Sequence, residues 1–192
     1  LPVASGIGGG SADAAATLRA LARLTGRPLP GSEDVLRLGA DVPVCLAGRP
    51  ARMSGIGEVL ASLPPLPPLW CVLVNPRLPV PTPQVFAALA RHDNPALPDL
   101  PPAALASAES FAAWLANHTR NDLIPPASTV APVLVEVQSA LAATPACLLA
   151  RMSGSGGTHF GLYPTAEAAH TATRLLSATH PGWWIASGQI QS

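Results

Sequence analysis

Lysine is absent from this 192-residue chain, whose 11 basic residues are all arginines. The absence excludes a Walker A phosphate loop, a lysine Schiff base and a lysine general base from these residues. Charged residues make up only 11%, well below the roughly 25% of typical soluble proteins. Because 11 acidic residues balance the 11 basic ones, we expect no binding to nucleic acid or to an anionic membrane. Any anion that this chain binds must therefore be held by a small local group of residues and not by an overall positive charge.

Residues suited to metal or disulfide chemistry are also few. Cys45, Cys71 and Cys147 are far apart without CxxC spacing, and the five histidines show no ligand spacing. We therefore expect no metal site made by the protein alone and no disulfide framework, and a cytoplasmic location fits best.

The longest apolar run, 69–74, is far shorter than the ~18–20 residues of a membrane span, and no signal segment opens the chain. Leu1 lies directly before a glycine-rich loop, so we expect an N-terminal part to be missing.

Proline and glycine mark the junctions between elements. Four prolines between Leu63 and Leu69 predict a stiff linker, which divides the chain into domains at 1–63 and 64–192. Helical patterns cover 12–25, 32–38, 83–91, 103–116, 130–143 and 165–179. The segment 54–57 is predicted to be the turn of a hairpin. Strands are predicted at 70–75, 147–152, 158–163 and 183–187. The tight turn at 153–157 makes its flanking strands antiparallel. This favours an α+β fold with helices on one face of a sheet.

A glycine-rich segment, Ser5-Gly-Ile-Gly-Gly-Gly-Ser-Ala-Asp13, runs directly into the first helical pattern. Without Cβ atoms, consecutive N–H groups can converge on one anion at the positive end of a helix dipole. The segment is not a dinucleotide fingerprint, because Ser11 stands where the third glycine should be. The pattern predicts a phosphate cradle, with a flexible glycine linker as the alternative.

Three other segments can each be interpreted in two ways. Asp41 is the only carboxylate in the apolar stretch 38–46; partly desolvated, it could deprotonate an attacking hydroxyl, or it could cap the helix before Val42-Pro43. Thr82, between two prolines, either presents its hydroxyl from a stiff backbone or simply begins a helix. The Ser153–Gly157 segment is either a flexible hairpin or a functional loop.

The stretch LPVASGIGGGSADAAA at 1–16 resembles the ATP-binding motif of the GHMP kinases. Three more segments agree with that family in order and spacing: LGADVPV at 38–44, VPTPQVF at 80–86 and RMSGSGGT at 151–158. The resemblance runs to about Tyr163. It implies the GHMP kinase fold, with part of an N-terminal ribosomal-protein-S5-like domain and a C-terminal ferredoxin-like α/β sandwich. Asn121-Asp122-Leu123 also resembles a family motif, but a helix start explains it equally well, and we assign it no chemistry.

The resemblance also implies roles for individual residues. Asp41 is the catalytic base, which in the family acts with a lysine that this chain lacks. Thr82 contacts the acceptor and Phe86 packs on its cytosine. The ATP-binding residues are Pro2, Val3, Ala4, Ser5, Gly6, Ile7, Gly8, Gly9, Gly10, Ser11 and Ala12. The second glycine loop, which buttresses the phosphate loop, consists of Ser153, Gly154, Ser155, Gly156 and Gly157.

The implied activity is that of a small-molecule kinase using ATP and Mg²⁺. The triple glycine followed by Ser-x-Asp-Ala-Ala is closest to the branch that phosphorylates the 2-hydroxyl of 4-diphosphocytidyl-2-C-methyl-D-erythritol, in non-mevalonate isoprenoid biosynthesis. One alternative is another GHMP kinase, of the homoserine or mevalonate type. The other, from a different class, is a nucleotide-binding fragment without activity of its own, because the lysine is absent. We expect a small molecule as the partner, and the family allows a homodimer.

Overall fold

The computed structural model describes residues 6–191, which form two compact units. Gly8–Leu66 is called here the N-terminal unit and Pro67–Ile190 the C-terminal unit; Gly6 and Ile7 group with the latter. The N-terminal unit contains α1 (Gly9–Thr25), α2 (Ser32–Leu38), α3 (Val42–Ala47) and a hairpin of β1 (Ala51–Ser54) and β2 (Val59–Ser62). No helix within residues 6–191 is long and apolar enough to cross a membrane.

The C-terminal unit is built on a four-stranded sheet with helices between its strands. Its elements are β3 (Trp70–Asn75), α4 (Thr82–Ala87), a 3₁₀ turn (Pro102–Leu105), α5 (Ala108–His118), α6 (Ile124–Val130), α7 (Val133–Ala142), β4 (Leu149–Met152), β5 (His159–Tyr163), α8 (Ala166–Thr179) and β6 (Trp184–Gln189).

All strand pairs of this sheet are antiparallel, in the order β4-β5-β3-β6. Val72 and Val74 point to the same face of β3 because side chains alternate along a strand. Both are fully buried, and they pack with Leu141 of α7 and Leu176 of α8. The strand order and the helices on one face confirm the predicted α+β, ferredoxin-like arrangement.

A second, smaller core lies under the turn between β4 and β5. It contains Val80, Val85, Ala127, Leu134 and Met152, all buried. Met152 is the last residue of β4, so this core supports the point where the chain leaves the sheet for the 153–157 turn.

The N-terminal unit packs its three helices around Ala15, Val35 and Val42, each nearly inaccessible to solvent. The guanidinium of Arg19 donates to the carbonyl oxygen of Leu46 over 2.6 Å, which caps the C-terminal end of α3 and ties it to α1. Burial and this cap together hold α3 against the middle of α1.

The predicted bounds of α1 were wrong at its start. The helix begins at Gly9 and not at Ala12, with Gly8 as a left-handed N-cap at φ 67°. The Ala12 N–H donates to the Gly8 carbonyl oxygen over 2.8 Å, which makes the glycines the first helical turn. The stop at Gly26 (φ 67°) is confirmed.

Prolines and caps account for the other helix corrections. The pattern at 130–143 is interrupted around Pro132, where α6 ends and α7 begins. The pattern at 103–116 is divided, because Ser107 accepts a hydrogen bond from the Ser110 N–H and starts α5 there. The helix expected at 83–91 is the shorter α4. α3 was not predicted, nor was most of α6.

Candidate functional site

The described part of the glycine-rich segment places open backbone at the start of α1. Gly9, Gly10 and Ser11 form its first turn, whose N–H groups have no partner within a helix. A Cβ added at Gly8 or Gly10 would meet no atom within 4 Å. This geometry suits an anion held by backbone N–H groups at the positive end of a helix. The predicted contacts Pro2, Val3, Ala4 and Ser5 lie outside the described residues.

Gly6 is held tightly by the second glycine loop, within the C-terminal unit. The Ser153 hydroxyl donates to the Gly6 carbonyl oxygen over 2.7 Å. A Cβ on Gly6 would lie 2.6 Å from the Gly156 carbonyl oxygen and 2.9 Å from that of Ser153. Gly6 also has a φ of 66°, so both space and conformation require glycine here.

The second glycine loop, Ser153–Gly157, is closed by its own hydrogen bonds. The Gly156 N–H donates to the Ser153 carbonyl oxygen over 3.1 Å, and the Ser153 N–H donates to Thr158 over 2.9 Å. A Cβ at Gly156 would press on Met152 at 3.2 Å and Val80 at 3.3 Å. The loop therefore lies directly on the smaller core of the C-terminal unit.

Thr82 meets this loop through its side chain. Its hydroxyl shares a 2.7 Å hydrogen bond with the Ser155 hydroxyl. Thr82 is also the first residue of α4, after Pro81 as N-cap, so the helix-start interpretation is confirmed, and the acceptor contact stays a prediction. Phe86, one turn later, leaves 49% of its surface exposed, which makes its ring available for packing against a ligand.

Asp41 occupies the N-cap position of α3, but its carboxylate makes no capping hydrogen bond. The residue is exposed, so the expectation of a partly desolvated aspartate was wrong. Burial raises the pKa of the Cys45 thiol, and the charge of Asp41 acts in the same direction. The carboxylate thus lies beside the first turn of α3 and faces solvent.

Two glycines of the N-terminal unit hold the turn that carries Asp41. Gly57, at φ 114°, packs so closely on Ala40 that a Cβ there would clash with the Ala40 carbonyl oxygen. A Cβ on Gly39 would lie 3.9 Å from the Ser11 hydroxyl oxygen. The turn before Asp41 therefore lies beside the first turn of α1.

Sequence reasoning missed the two asparagines that anchor the second glycine loop. The Asn121 amide donates to the carbonyl oxygens of Met152 (3.0 Å) and Gly154 (2.9 Å). The buried Asn75 amide donates to the Thr158 hydroxyl over 3.0 Å. The resemblance of Asn121-Asp122-Leu123 to a family motif was the one available signal, and no local pattern shows these distant partners.

His159 follows the loop on β5 and is 1% exposed. Its Nδ1 is buried without a hydrogen-bond partner in the described part of the chain. Burial lowers the pKa of His159 to about 4, so the imidazole is neutral at neutral pH. Across residues 6–191, no group of three His, Cys, Asp or Glu side chains could hold a metal ion.

Comparison with known proteins places the chain in a family. Residues 1–63 match the family described as GHMP kinases N terminal domain, and residues 102–181 match GHMP kinases C terminal. The chain belongs to the GHMP kinases. Their phosphate donor is ATP.

The chain is also similar to individual curated proteins within this family. The chain is 60% identical over 191 residues to 4-diphosphocytidyl-2-C-methyl-D-erythritol kinase of Cereibacter sphaeroides (strain ATCC 17029 / ATH 2.4.9), covering 99% of this chain and 68% of that protein. It is 54% identical to the protein of the same name from Paramagnetospirillum magneticum, covering 100% of this chain and 67% of that protein. The chain thus spans about two thirds of the length of these curated relatives.

Solved structures agree with this result. The crystal structure of a 4-(cytidine 5'-diphospho)-2C-methyl-D-erythritol kinase superposes with a TM-score of 0.79 at 36% identity, covering all of this chain and 68% of that one. A homoserine kinase from Cytophaga hutchinsonii gives a TM-score of 0.60 at 19% identity, covering all of this chain and 68% of that one, which shows a shared fold.

Proposed function

We propose that this chain carries out ATP-dependent phosphorylation of the 2-hydroxyl of 4-diphosphocytidyl-2-C-methyl-D-erythritol, in the methylerythritol phosphate route to isoprenoids. The observation that carries the proposal is the 60% identity, over almost the whole chain, to a curated kinase named for that substrate. Identity of this extent goes well beyond a shared fold. We place the activity in the cytoplasm.

The residues proposed to bind the ATP phosphates are Gly6–Ser11. The first-turn N–H groups of α1 are the donors, because the chain has no lysine and the glycines leave the backbone open. Gly8 and Gly10 support this role, since the space beyond their Cα atoms is empty. Ser153 holds the Gly6 carbonyl, so the second glycine loop buttresses the start of the phosphate segment.

Asp41 is the proposed catalytic base. Phosphoryl transfer depends mainly on positioning and electrostatic stabilisation, and a carboxylate can orient the attacking hydroxyl and accept its proton. The Asp41 carboxylate suits this role because it is exposed and not engaged in capping α3. The packing of Gly57 on Ala40 keeps the backbone before Asp41 in place.

Recognition of the acceptor is assigned to Thr82 and Phe86. Thr82 lies at a fixed helix start with its hydroxyl already bonded to Ser155, so it can contact the methylerythritol part with little loss of conformational entropy. The exposed ring of Phe86 is suited to packing on the cytosine.

Magnesium is proposed to arrive with the nucleotide. Mg²⁺ keeps several waters and takes few protein ligands, and the described residues contain no group of three acidic, histidine or cysteine side chains suited to a metal. Ser11, in the first turn of α1, can add its hydroxyl.

The proposal is tested by measuring ADP release with a panel of acceptors. Because the chain spans two thirds of its relatives, the assay uses this chain joined to the part of the Cereibacter sphaeroides relative that it does not cover, called the chimera below. We expect turnover with the diphosphocytidyl acceptor and none above background with homoserine or mevalonate. Turnover with either of the latter instead would contradict the proposed substrate.

A further inference from the structure

Asn121 uses its whole side-chain amide to hold the second glycine loop. Its Nδ2 donates to the carbonyl oxygens of Met152 and Gly154, at 3.0 and 2.9 Å. Its Oδ1 accepts from the Leu123 N–H over 3.0 Å. Only one orientation of the amide satisfies all three bonds, because the oxygen must face an N–H and the nitrogen must face two carbonyls.

The two carbonyls held by Asn121 lie on either side of Ser153. Ser153 is therefore fixed from both directions along the chain, and its N–H is held by the Thr158 carbonyl at 2.9 Å. The hydroxyl of the same residue donates to the Gly6 carbonyl over 2.7 Å. The position of Gly6, where the phosphate segment begins, thus depends on the Asn121 amide through one intervening residue.

The other side of the loop reaches the proposed acceptor residues. Ser155 follows Gly154, whose φ of 55° is accessible mainly to glycine. The Ser155 hydroxyl lies 2.7 Å from that of Thr82. One amide therefore supports a loop that contacts both Gly6 and Thr82, all within the C-terminal unit.

We propose that Asn121 is a positioning residue for the kinase reaction. By holding the Met152 and Gly154 carbonyls, it sets the second glycine loop, and through that loop the placement of Gly6 for the nucleotide and of Thr82 for the acceptor. Asn121 touches neither substrate itself. The inference rests on the proposed function.

The substitution Asn121→Asp separates this role from the local turn before α6. A carboxylate still accepts the Leu123 N–H bond of that turn, but it has no proton to donate to the two loop carbonyls and repels them. Asn121→Ala removes both functions. Asn94→Asp is the matched control, since the Asn94 amide also donates to a backbone carbonyl, that of Arg91 at 3.3 Å, on an exposed segment.

Two measurements report the effect of the Asn121 substitutions on the second glycine loop and on the reaction. Amide hydrogen exchange in this chain reports loop closure at the Ser153 and Gly156 N–H groups, both hydrogen-bonded within the loop, with the β3 amides of Val72 and Val74 as the internal reference. Kinetics of the chimera report the reaction. For Asn121→Asp we expect exchange at the loop amides to accelerate while β3 is unchanged, and kcat/KM for both substrates to fall about 10- to 100-fold, the scale of a small misplacement.

The pH profile adds a signature that a purely structural role would not produce. The two carbonyl oxygens raise the pKa of the introduced carboxyl group, and once protonated it can donate to one of them. The activity of Asn121→Asp relative to the unmodified chimera should therefore rise as the pH falls. Asn121→Ala should show no such recovery.

The outcomes separate this inference from the proposed function. Unchanged loop exchange in Asn121→Asp, or kinetics equal to those of Asn94→Asp, would overturn the positioning role and leave Asn121 with only its local turn before α6. An unmodified chimera that phosphorylates no acceptor would overturn the proposed function and with it the kinetic part of the inference. The exchange data would still show whether Asn121 holds the loop.

Discussion

Gly10 offers a substitution whose effects on stability and on ATP binding should have opposite signs. It is the second residue of α1, its φ is not positive, and a Cβ built on it meets no atom within 4 Å. Glycine costs a helix about 0.5–1 kcal/mol relative to alanine. Near the helix start we expect the lower end of this range, about 0.5 kcal/mol. Gly10→Ala should therefore stabilise the fold and raise Tm by about 1–2 °C.

The same methyl group would occupy the space that we assign to a phosphate. Each backbone hydrogen bond to a charged oxygen is worth about 1.5–3 kcal/mol, so losing one should weaken ATP binding about 10- to 100-fold. Calorimetric titration of the chimera with Mg-ATP, together with a thermal melt, measures both effects.

Gly182→Ala is the control for Gly10→Ala. Gly182 lies between α8 and β6, its φ is also not positive, and a Cβ there likewise meets nothing within 4 Å. We expect the control to leave ATP affinity unchanged. If Gly10→Ala melted higher and still bound ATP as tightly as the parent, the phosphates would not lie on the first turn of α1.

Three further predictions concern Asp41, Gly57 and His159. Asp41→Asn in the chimera should lower kcat by about 10²–10⁴ with unchanged ATP affinity, and an unchanged kcat would refute the catalytic role. Gly57→Ala should destabilise the N-terminal unit by about 1–3 kcal/mol, because its φ of 114° and the Ala40 carbonyl oxygen oppose a side chain; an unchanged urea midpoint would refute this packing. Burial lowers the pKa of His159 to about 4, so the unfolded chain binds its proton first and stability falls as the pH drops below about 6.5. Between pH 7 and pH 5 the loss should be about 2 kcal/mol, and His159→Val should remove it; an equal loss in that variant would assign the pH dependence to other groups.

Local signals in the sequence predicted much of the fold because they act over a few residues. The apolar run at β3 and the turn at 153–157, flanked by β4 and β5, follow from alternation and glycine chemistry. Gly26 and Gly39 end α1 and α2 because a helix stops readily at glycine.

What the sequence did not predict depends on contacts between distant residues. The helical start at Gly9 runs against glycine propensity, and the Gly8 cap makes it possible. The exposure of Asp41 follows from how α3 packs, although its neighbours in sequence are apolar. The reach of Asn121 to Met152 and Gly154 cannot be read from a local pattern, because it requires the sheet to be formed first.

For the candidate site, as for the fold, local sequence predicted the segments but not the contacts between them. Motifs marked the two glycine segments and Thr82, since backbone freedom and stiffness are properties of a few adjacent residues. The bond between the Thr82 and Ser155 hydroxyls and the close fit of Gly6 on Gly156 come from tertiary packing alone.

The most direct test of the proposed activity is to locate the phosphate on the product. The chimera is incubated with Mg-ATP and 4-diphosphocytidyl-2-C-methyl-D-erythritol, and the products are followed by phosphorus and carbon NMR. We expect a new phosphate monoester resonance that appears in step with ADP, together with a phosphorus coupling at the C2 carbon of the methylerythritol moiety. ADP released without a phosphorylated acceptor, or a phosphate at another position, would contradict it.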